Sequence, residues 1–374
     1  MFSVRRGWVS SGEARGKRAD VQSANDARAR LRGALRITVS AVWTCATGAT
    51  HAIAADLPVH PIPNPFAPVS PPADSIRSLS FFVMAIAAAI FVVVTAVLFW
   101  CVWRYRARPD DDREPPQVYG SNQIEWSWTI VPILIVLVLF LATARTINEL
   151  QASEVPPEAL RVTIVGHQWW WEIKYPDLGV VTANELHLPV SRDGARRPTY
   201  LHLESADVIH SFWLPQLAGK TDVVPNRRNL MWVEPNETGI FLGQCAEYCG
   251  TQHAKMLLRA IVQEPAAFDA WVAAQKQPAA MVDAVADGRA IFQSTACINC
   301  HTVAGTNANG RFGPDLTHLM SRATIGSGAA ANTPENLRAW IDSPDHFKPG
   351  ALMPAMKLDD GDLDKLTAFL LTLK

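Results

Sequence analysis

Two clusters of soft ligands dominate the chemistry of this 374-residue chain. Cys245-Ala-Glu-Tyr-Cys249-Gly-Thr-Gln-His253-Ala-Lys-Met256 puts two thiols, an imidazole and a thioether within one short segment. A second imidazole, His210, follows a strand-like run in Ser205-Ala-Asp-Val-Ile-His-Ser-Phe-Trp-Leu-Pro. Thiolate, imidazole and thioether together are a copper donor set. With two thiolates instead of one, the sulfurs can bridge two copper ions, each completed by the histidines and the methionine. A dinuclear site spreads one electron over two metals, which lowers the reorganisation that accompanies its transfer. Structural zinc and a Cys245–Cys249 disulfide are the competing readings. Zinc usually takes C-x2–4-C followed much later by H-x3–5-H, and the order here suits it poorly.

The second cluster is Ala290-Ile-Phe-Gln-Ser-Thr-Ala-Cys297-Ile-Asn-Cys300-His301. C-x-x-C-H reads as c-type haem attachment. The two thiols add to the haem vinyl groups and His301 becomes the proximal iron ligand. A sixth ligand is needed for a low-spin electron carrier, and a methionine there raises the potential. Lys348-Pro-Gly-Ala-Leu-Met353-Pro-Ala-Met356 offers two candidates, Met353 ahead of Met356. His318 and His346 read as surface residues, His167, His187 and His202 as structural ones, and His60 as a bland linker residue.

These clusters need elements to hold them. At roughly 150 residues per domain, the length allows two or three domains. Charged residues are 18% and hydrophobic ones 49%, ample for a core, so disorder over most of the chain is excluded. Six cysteines are too few for a disulfide-dense scaffold. Residues 1–36 carry a local +6 within a total of −1, and residues 37–55 carry no charge. The remainder is therefore acidic, and no global basic field for nucleic acid exists there. Residues 1–55 read as a basic head and signal peptide, cleaved near Ala52–Ala55, and 56–77 as a proline-rich extended linker.

From Ser78 to Trp103, 26 residues pass without a formal charge, and from Trp126 to Ala144, 19 do. Each is long enough to cross a ~30 Å hydrocarbon layer as a helix. A transmembrane hairpin is expected over 78–150. Tryptophans 100, 103, 126 and 128 sit at the ends that abut the connecting loop, where interfacial aromatics belong. That loop carries Arg104, Arg106, Arg108 and Arg113, against only Arg77 before the first span, which places it in the cytoplasm and both termini outside. From Leu160 the pattern changes to short runs rich in β-branched and aromatic residues, separated by Pro, Gly and Asn turns, which suggests a β-sandwich over 158–263. Residues 264–281 read as a short helix and linker. Residues 282–374 read as an all-α domain, with Asp283–Phe292 packing on an amphipathic helix whose Leu363, Leu366, Phe369, Leu370 and Leu373 share one face.

Gly166-His-Gln-Trp-Trp-Trp, Asp207-Val-Ile-His-Ser-Phe-Trp-Leu-Pro, Gly219-Lys-Thr-Asp, the Gly243–Met256 segment and Ile124-Glu-Trp-Ser-Trp-Thr-Ile-Val-Pro resemble subunit II of haem–copper cytochrome c oxidases. The order of signal, hairpin, copper domain and haem domain resembles the caa-type form, with its fused C-terminal cytochrome c domain. The resemblance implies a cupredoxin fold with a dinuclear CuA centre. Its ligands would be His210, Cys245, Cys249, His253, Met256 and the backbone carbonyl of Glu247. The Glu247 side chain would face a magnesium site shared with subunit I. Trp169 would be the aromatic through which electrons arrive, and Glu125 would lie at the mouth of a proton channel in subunit I. Met353 stands in a context similar to class I cytochromes c, and Gly313-Pro314 resembles the turn whose carbonyl accepts from the proximal imidazole.

The implied function is the electron-accepting subunit of a proton-pumping aerobic terminal oxidase in a bacterial inner membrane. It would hold one covalent haem c and CuA on the periplasmic side and pass electrons to subunit I, where oxygen is reduced to water. Subunit I, other oxidase subunits and a donor, cytochrome c or a bc complex, would be its partners. The alternative is a membrane-tethered copper and cytochrome electron shuttle outside an oxidase complex. It predicts no stable complex with a large haem-bearing membrane subunit.

Overall fold

A computed structural model describes residues 57–106, 114, 116–151, 155–192 and 194–374. The expected signal segment, Arg108 and Arg113 lie outside the described residues.

Helix α1 (Pro71–Arg104) and helix α2 (Asn122–Leu150) are both long and apolar enough to cross a membrane. Helix α1 starts within the segment expected to be extended linker. The reason is local: Pro71 and Pro72 occupy its first positions, where a missing N–H costs nothing and the fixed φ already suits a helix. Earlier in that segment the backbone is extended, as expected, and also pairs with a sheet. Strand β1 (Val59–His60) adds in parallel to a sheet, pairing with Ile240 and Phe241, and the His60 ring stacks on Phe241 at 4.5 Å. It is held by backbone hydrogen bonds that leave no alternation to read.

The β-domain contains β2 (Leu160–His167), β3 (Trp170–Tyr175), β4 (Val180–Ala183), β5 (Glu185–Pro189) and β6 (Thr199–Ser205). It continues with β7 (His210–Trp213), β8 (Thr221–Val223), β9 (Asn229–Val233), β10 (Gly239–Cys245) and β11 (Leu257–Gln263). One sheet runs β4-β3-β2-β6-β9. The other runs β5-β11-β10-β7-β8, with β1 beside β10. The inner faces follow the period-two rule for strands: Trp171, Ile173 and Tyr175 of β3 point inward, as do Leu201 and Leu203 of β6. They meet Leu186, Phe212 and Phe241 of the second sheet in one core. Helix α3 (Pro265–Gln275) closes the sandwich with Phe268, Trp271 and Val272.

The last domain is helical. Helix α4 (Ala286–Ser294) precedes the single turn α5 (Cys297–Cys300), followed by α6 (Pro334–Asp342), α7 (Pro344–Phe347) and α8 (Asp360–Leu370). Asp359 caps α8 by accepting from the Asp362 N–H at 2.8 Å. Its buried face is Leu363, Leu366, Phe369 and Leu370, and Phe369 packs on Phe292 of α4 with ring centroids 5.7 Å apart.

Candidate metal and haem sites

The copper-type donors converge because a hairpin and its neighbour strand end at one place. Strands β10 and β11 pair up to Gln244 and Leu257, and the Cys245 N–H donates to the Met256 carbonyl at 3.0 Å. The ten residues between them form the loop that carries Cys249 and His253. On the other side of β10, Cys245 pairs with Phe212 of β7, which brings His210 to the same end.

The two sulfurs are 3.8 Å apart. A disulfide needs about 2.05 Å, and both cysteines are free. His210 Nδ1 lies 3.9 Å from Cys245 Sγ, and His253 Nδ1 lies 3.7 Å from Cys249 Sγ. Met256 Sδ is 3.8 Å from Cys249 Sγ, and the Glu247 carbonyl is 3.2 Å from Cys245 Sγ. Six donors, the two sulfurs and four groups around them, exceed the four that a tetrahedral zinc site takes, and the thioether and paired thiolates favour copper. Cys245, Cys249, Met256 and His210 are all buried, so their shared face is screened from water. The neighbouring Cys249 sulfur and the His210 ring hold the Cys245 thiol well below its ordinary value, while the same pairing and burial hold the Cys249 thiol above its own.

His210 is oriented from outside. Its Nε2 lies 2.8 Å from Asp207 Oδ1, leaving Nδ1 for the metal. Despite burial, that carboxylate and the Cys245 sulfur hold the imidazole above its usual value. Gly166 lies under the ring, where a Cβ would come within 2.8 Å of His210 Cδ2. Asp207 is a site residue that the sequence reading passed over, although its position three residues before His210 was a usable signal.

The tryptophan run divides. Trp171 is wholly buried in the core, edge-on to Phe212. Trp170 stacks on His167 at 4.4 Å. Trp169 Nε1 donates to the Cys249 carbonyl at 3.0 Å, beside Gln168 Nε2 at 2.7 Å on the same oxygen. The Glu247 side chain is exposed and accepts from the Tyr248 N–H. Glu125 sits in the first turn of α2, at the end remote from the β-domain. By helix rise it is about 37 Å along the axis from Leu150.

In the helical domain, His301 Nδ1 donates to the Pro314 carbonyl at 2.7 Å, so Nε2 is the nitrogen left for a metal. Burial holds this imidazole below its ordinary value, in the neutral form a ligand needs. Gly313 plays the part of Gly166: a Cβ there would stand 2.6 Å from His301 Cε1. Cys297, Cys300, His301, Met353 and Met356 all line one largely apolar cavity. The Trp340 indole N–H reaches Met353 Sδ at 3.2 Å.

A haem fits this cavity on a further observation. Arg322 lines it, is buried, and has a side-chain nitrogen, Nε, with no partner. An unmatched buried guanidinium N–H calls for an anion, and a haem propionate is one. Arg322 gave no signal in the sequence, being an ordinary arginine until the fold turns it inward. His318 is corrected: it is buried, with Nε2 3.0 Å from the Gln277 carbonyl, because the linker crosses over it.

Fold and sites together define a membrane-anchored protein that joins a copper-type β-sandwich to a c-type cytochrome domain. The family models and the sequence relatives agree with this. Residues 66–144 match the family described as cytochrome c oxidase subunit II, transmembrane domain; residues 194–264 match its periplasmic domain; and residues 285–374 match cytochrome c. The cytochrome c oxidase subunit 2 of Alkalihalophilus pseudofirmus is 36% identical over 79% of this chain and 85% of its own. That of Bacillus subtilis is 30% identical over 83% and 93%. The periplasmic domain of the Bradyrhizobium japonicum subunit is 33% identical over 33% of this chain and 97% of its own, with a TM-score of 0.31. The chain belongs to the cytochrome c oxidase subunit II family, with a fused C-terminal cytochrome c domain. It has the cupredoxin fold, copper- and haem-binding domains, and a membrane anchor carrying an extracellular domain.

Proposed function

We propose that this chain is the electron-accepting subunit of a proton-pumping terminal oxidase of a bacterial inner membrane, delivering electrons from haem c to a dinuclear CuA and on to subunit I. The observation that carries this reading is Trp169. Its indole donates to the carbonyl of Cys249, and the residue also lines the haem cavity. One residue thus borders both candidate sites.

When bound, the copper pair and the haem each take up and give up a single electron. His210, Cys245, Cys249, His253, Met256 and the Glu247 carbonyl would hold the copper pair. Cys297 and Cys300 would hold the haem covalently, with His301 and Met353 on its iron. Asp207 fixes the His210 tautomer and Pro314 fixes that of His301. The apolar lining excludes water from the cavity and keeps the low dielectric that favours fast electron exchange.

The exposed Glu247 carboxylate suits a magnesium ion shared with subunit I. Glu125, at the arginine-rich end of the hairpin, suits a proton-channel mouth on the cytoplasmic side. The donor is cytochrome c or a bc complex. The reading is tested by purifying the tagged chain from detergent-solubilised membranes. A multi-span haem-bearing subunit is expected to accompany it, and the complex should consume oxygen with a reduced donor. Recovery of the chain alone, loaded with copper and haem, would contradict the reading in favour of a tethered shuttle.

A further inference from the structure

A buried lysine lies between the copper and haem domains, outside both donor sets. Lys348 is 4% exposed and stands five residues before Met353. Its Nζ donates to the Trp169 carbonyl of the copper domain at 2.6 Å and to the Gly326 carbonyl of its own domain at 3.1 Å. Both acceptors are neutral. Burial pushes the ammonium down to about 7. The opposite charge it feels is the Cys249 sulfur of the copper domain; an apolar side chain would be cheaper to bury within the haem domain, so stability of the haem domain alone gives no reason for a lysine here.

The neighbours of Lys348 are held too. Gln252 Nε2 donates to the Pro349 carbonyl at 2.5 Å, and Lys255 Nζ donates to the Phe347 carbonyl at 2.6 Å. Gln252 and Lys255 belong to the loop that carries Cys249, His253 and Met256. Three consecutive residues of the strap leading to Met353 are therefore tied to the copper domain, two of them to its donor loop.

A separate set of contacts seats the two domains. The Leu257 N–H donates to the Ser327 carbonyl at 3.1 Å, Ser327 Oγ donates to the Leu257 carbonyl at 2.7 Å, and the Ala323 N–H donates to Glu185 at 2.8 Å. These do not involve Lys348 and would persist without it.

We propose that Lys348 is a positioning residue for electron transfer between the two sites, tying the strap before Met353 to the Trp169 carbonyl and so fixing the haem cavity against the Trp169 indole. This rests on the reading that electrons pass from haem c to CuA beside Trp169. Electron transfer then takes place between docked domains, without a search by a mobile haem domain.

The test uses the intact oxidase complex bearing Lys348→Met, with Lys348→Gln as a milder variant that keeps a neutral donor. An electron is placed on haem c with a photo-reductant, and the first-order loss of reduced haem and gain of reduced copper are followed at their own absorption bands. Losing a buried charge-assisted hydrogen bond is expected to slow this step about tenfold in Lys348→Met, and less in Lys348→Gln. The optical signatures of both centres should be unaltered. Amide hydrogen exchange over 347–353 should quicken in the same variant, whatever the redox state. An unchanged transfer rate in both variants, with both centres intact, would overturn the assignment. If the unaltered complex reduces its haem but never passes that electron to copper, the functional reading itself fails. The exchange experiment still decides whether Lys348 holds the strap.

Discussion

Met353 and Met356 both face the haem cavity, and the choice between them is a matter of a single sulfur. Met353 is the one that the Trp340 indole N–H reaches, which points its thioether in a fixed direction. A thioether on iron raises the potential. Met353→Leu is therefore expected to lower the haem potential in a redox titration of the intact chain. An unchanged potential would pass the role to Met356. The proposed donors were legible because they cluster: four within Cys245–Met256, and three in Cys297–His301. Residues whose part depends on a distant partner were not. Lys348 meets a carbonyl 179 residues away. Arg322 is distinguished only by an Nε that the fold leaves without a partner. No local pattern encodes either.

At the scale of elements, hydrophobic periodicity carried most of the reading. The alternating strands β3 and β6 and the apolar face of α8 repeat a pattern that burial demands, and the two spans show as long uncharged runs. Elements set by tertiary pairing did not show. Strand β1 is two residues between prolines and exists because β10 offers it a free edge. His187 shows what burial inside such an element does. It lies in β5, stacks on Trp271 of α3 at 4.0 Å, and has Nδ1 2.9 Å from Gln263 Oε1. Burial pushes its imidazole from 6.5 down to about 4. Between those values the unfolded chain binds a proton that the folded sandwich refuses. The copper domain should thus lose about 3 kcal/mol as the pH falls from 6.5 to 4. His187→Gln should flatten that window when the thermal midpoint is followed against pH on the intact chain. An acid slope as steep in the variant would contradict the assignment.

At the scale of the whole molecule, the chain joins a membrane anchor, a copper domain and a haem domain in which the last two share an interface. Their composition had suggested separate modules and said nothing about docking. At the interface, backbone carbonyls of Leu257, Ser327, Phe347 and Pro349 accept from the Ser327, Lys255 and Gln252 side chains and the Leu257 amide, pairings that composition does not register. The haem cavity and the copper donor set thus lie on either side of this interface, and the copper donor set is the point on which the account turns. The most direct test is the electron paramagnetic resonance spectrum of the purified, copper-loaded and haem-matured full chain. Four donors around two bridging sulfurs predict a hyperfine pattern from one unpaired electron shared by two copper nuclei. A pattern from a single copper nucleus, or a silent site filled with zinc, would contradict it.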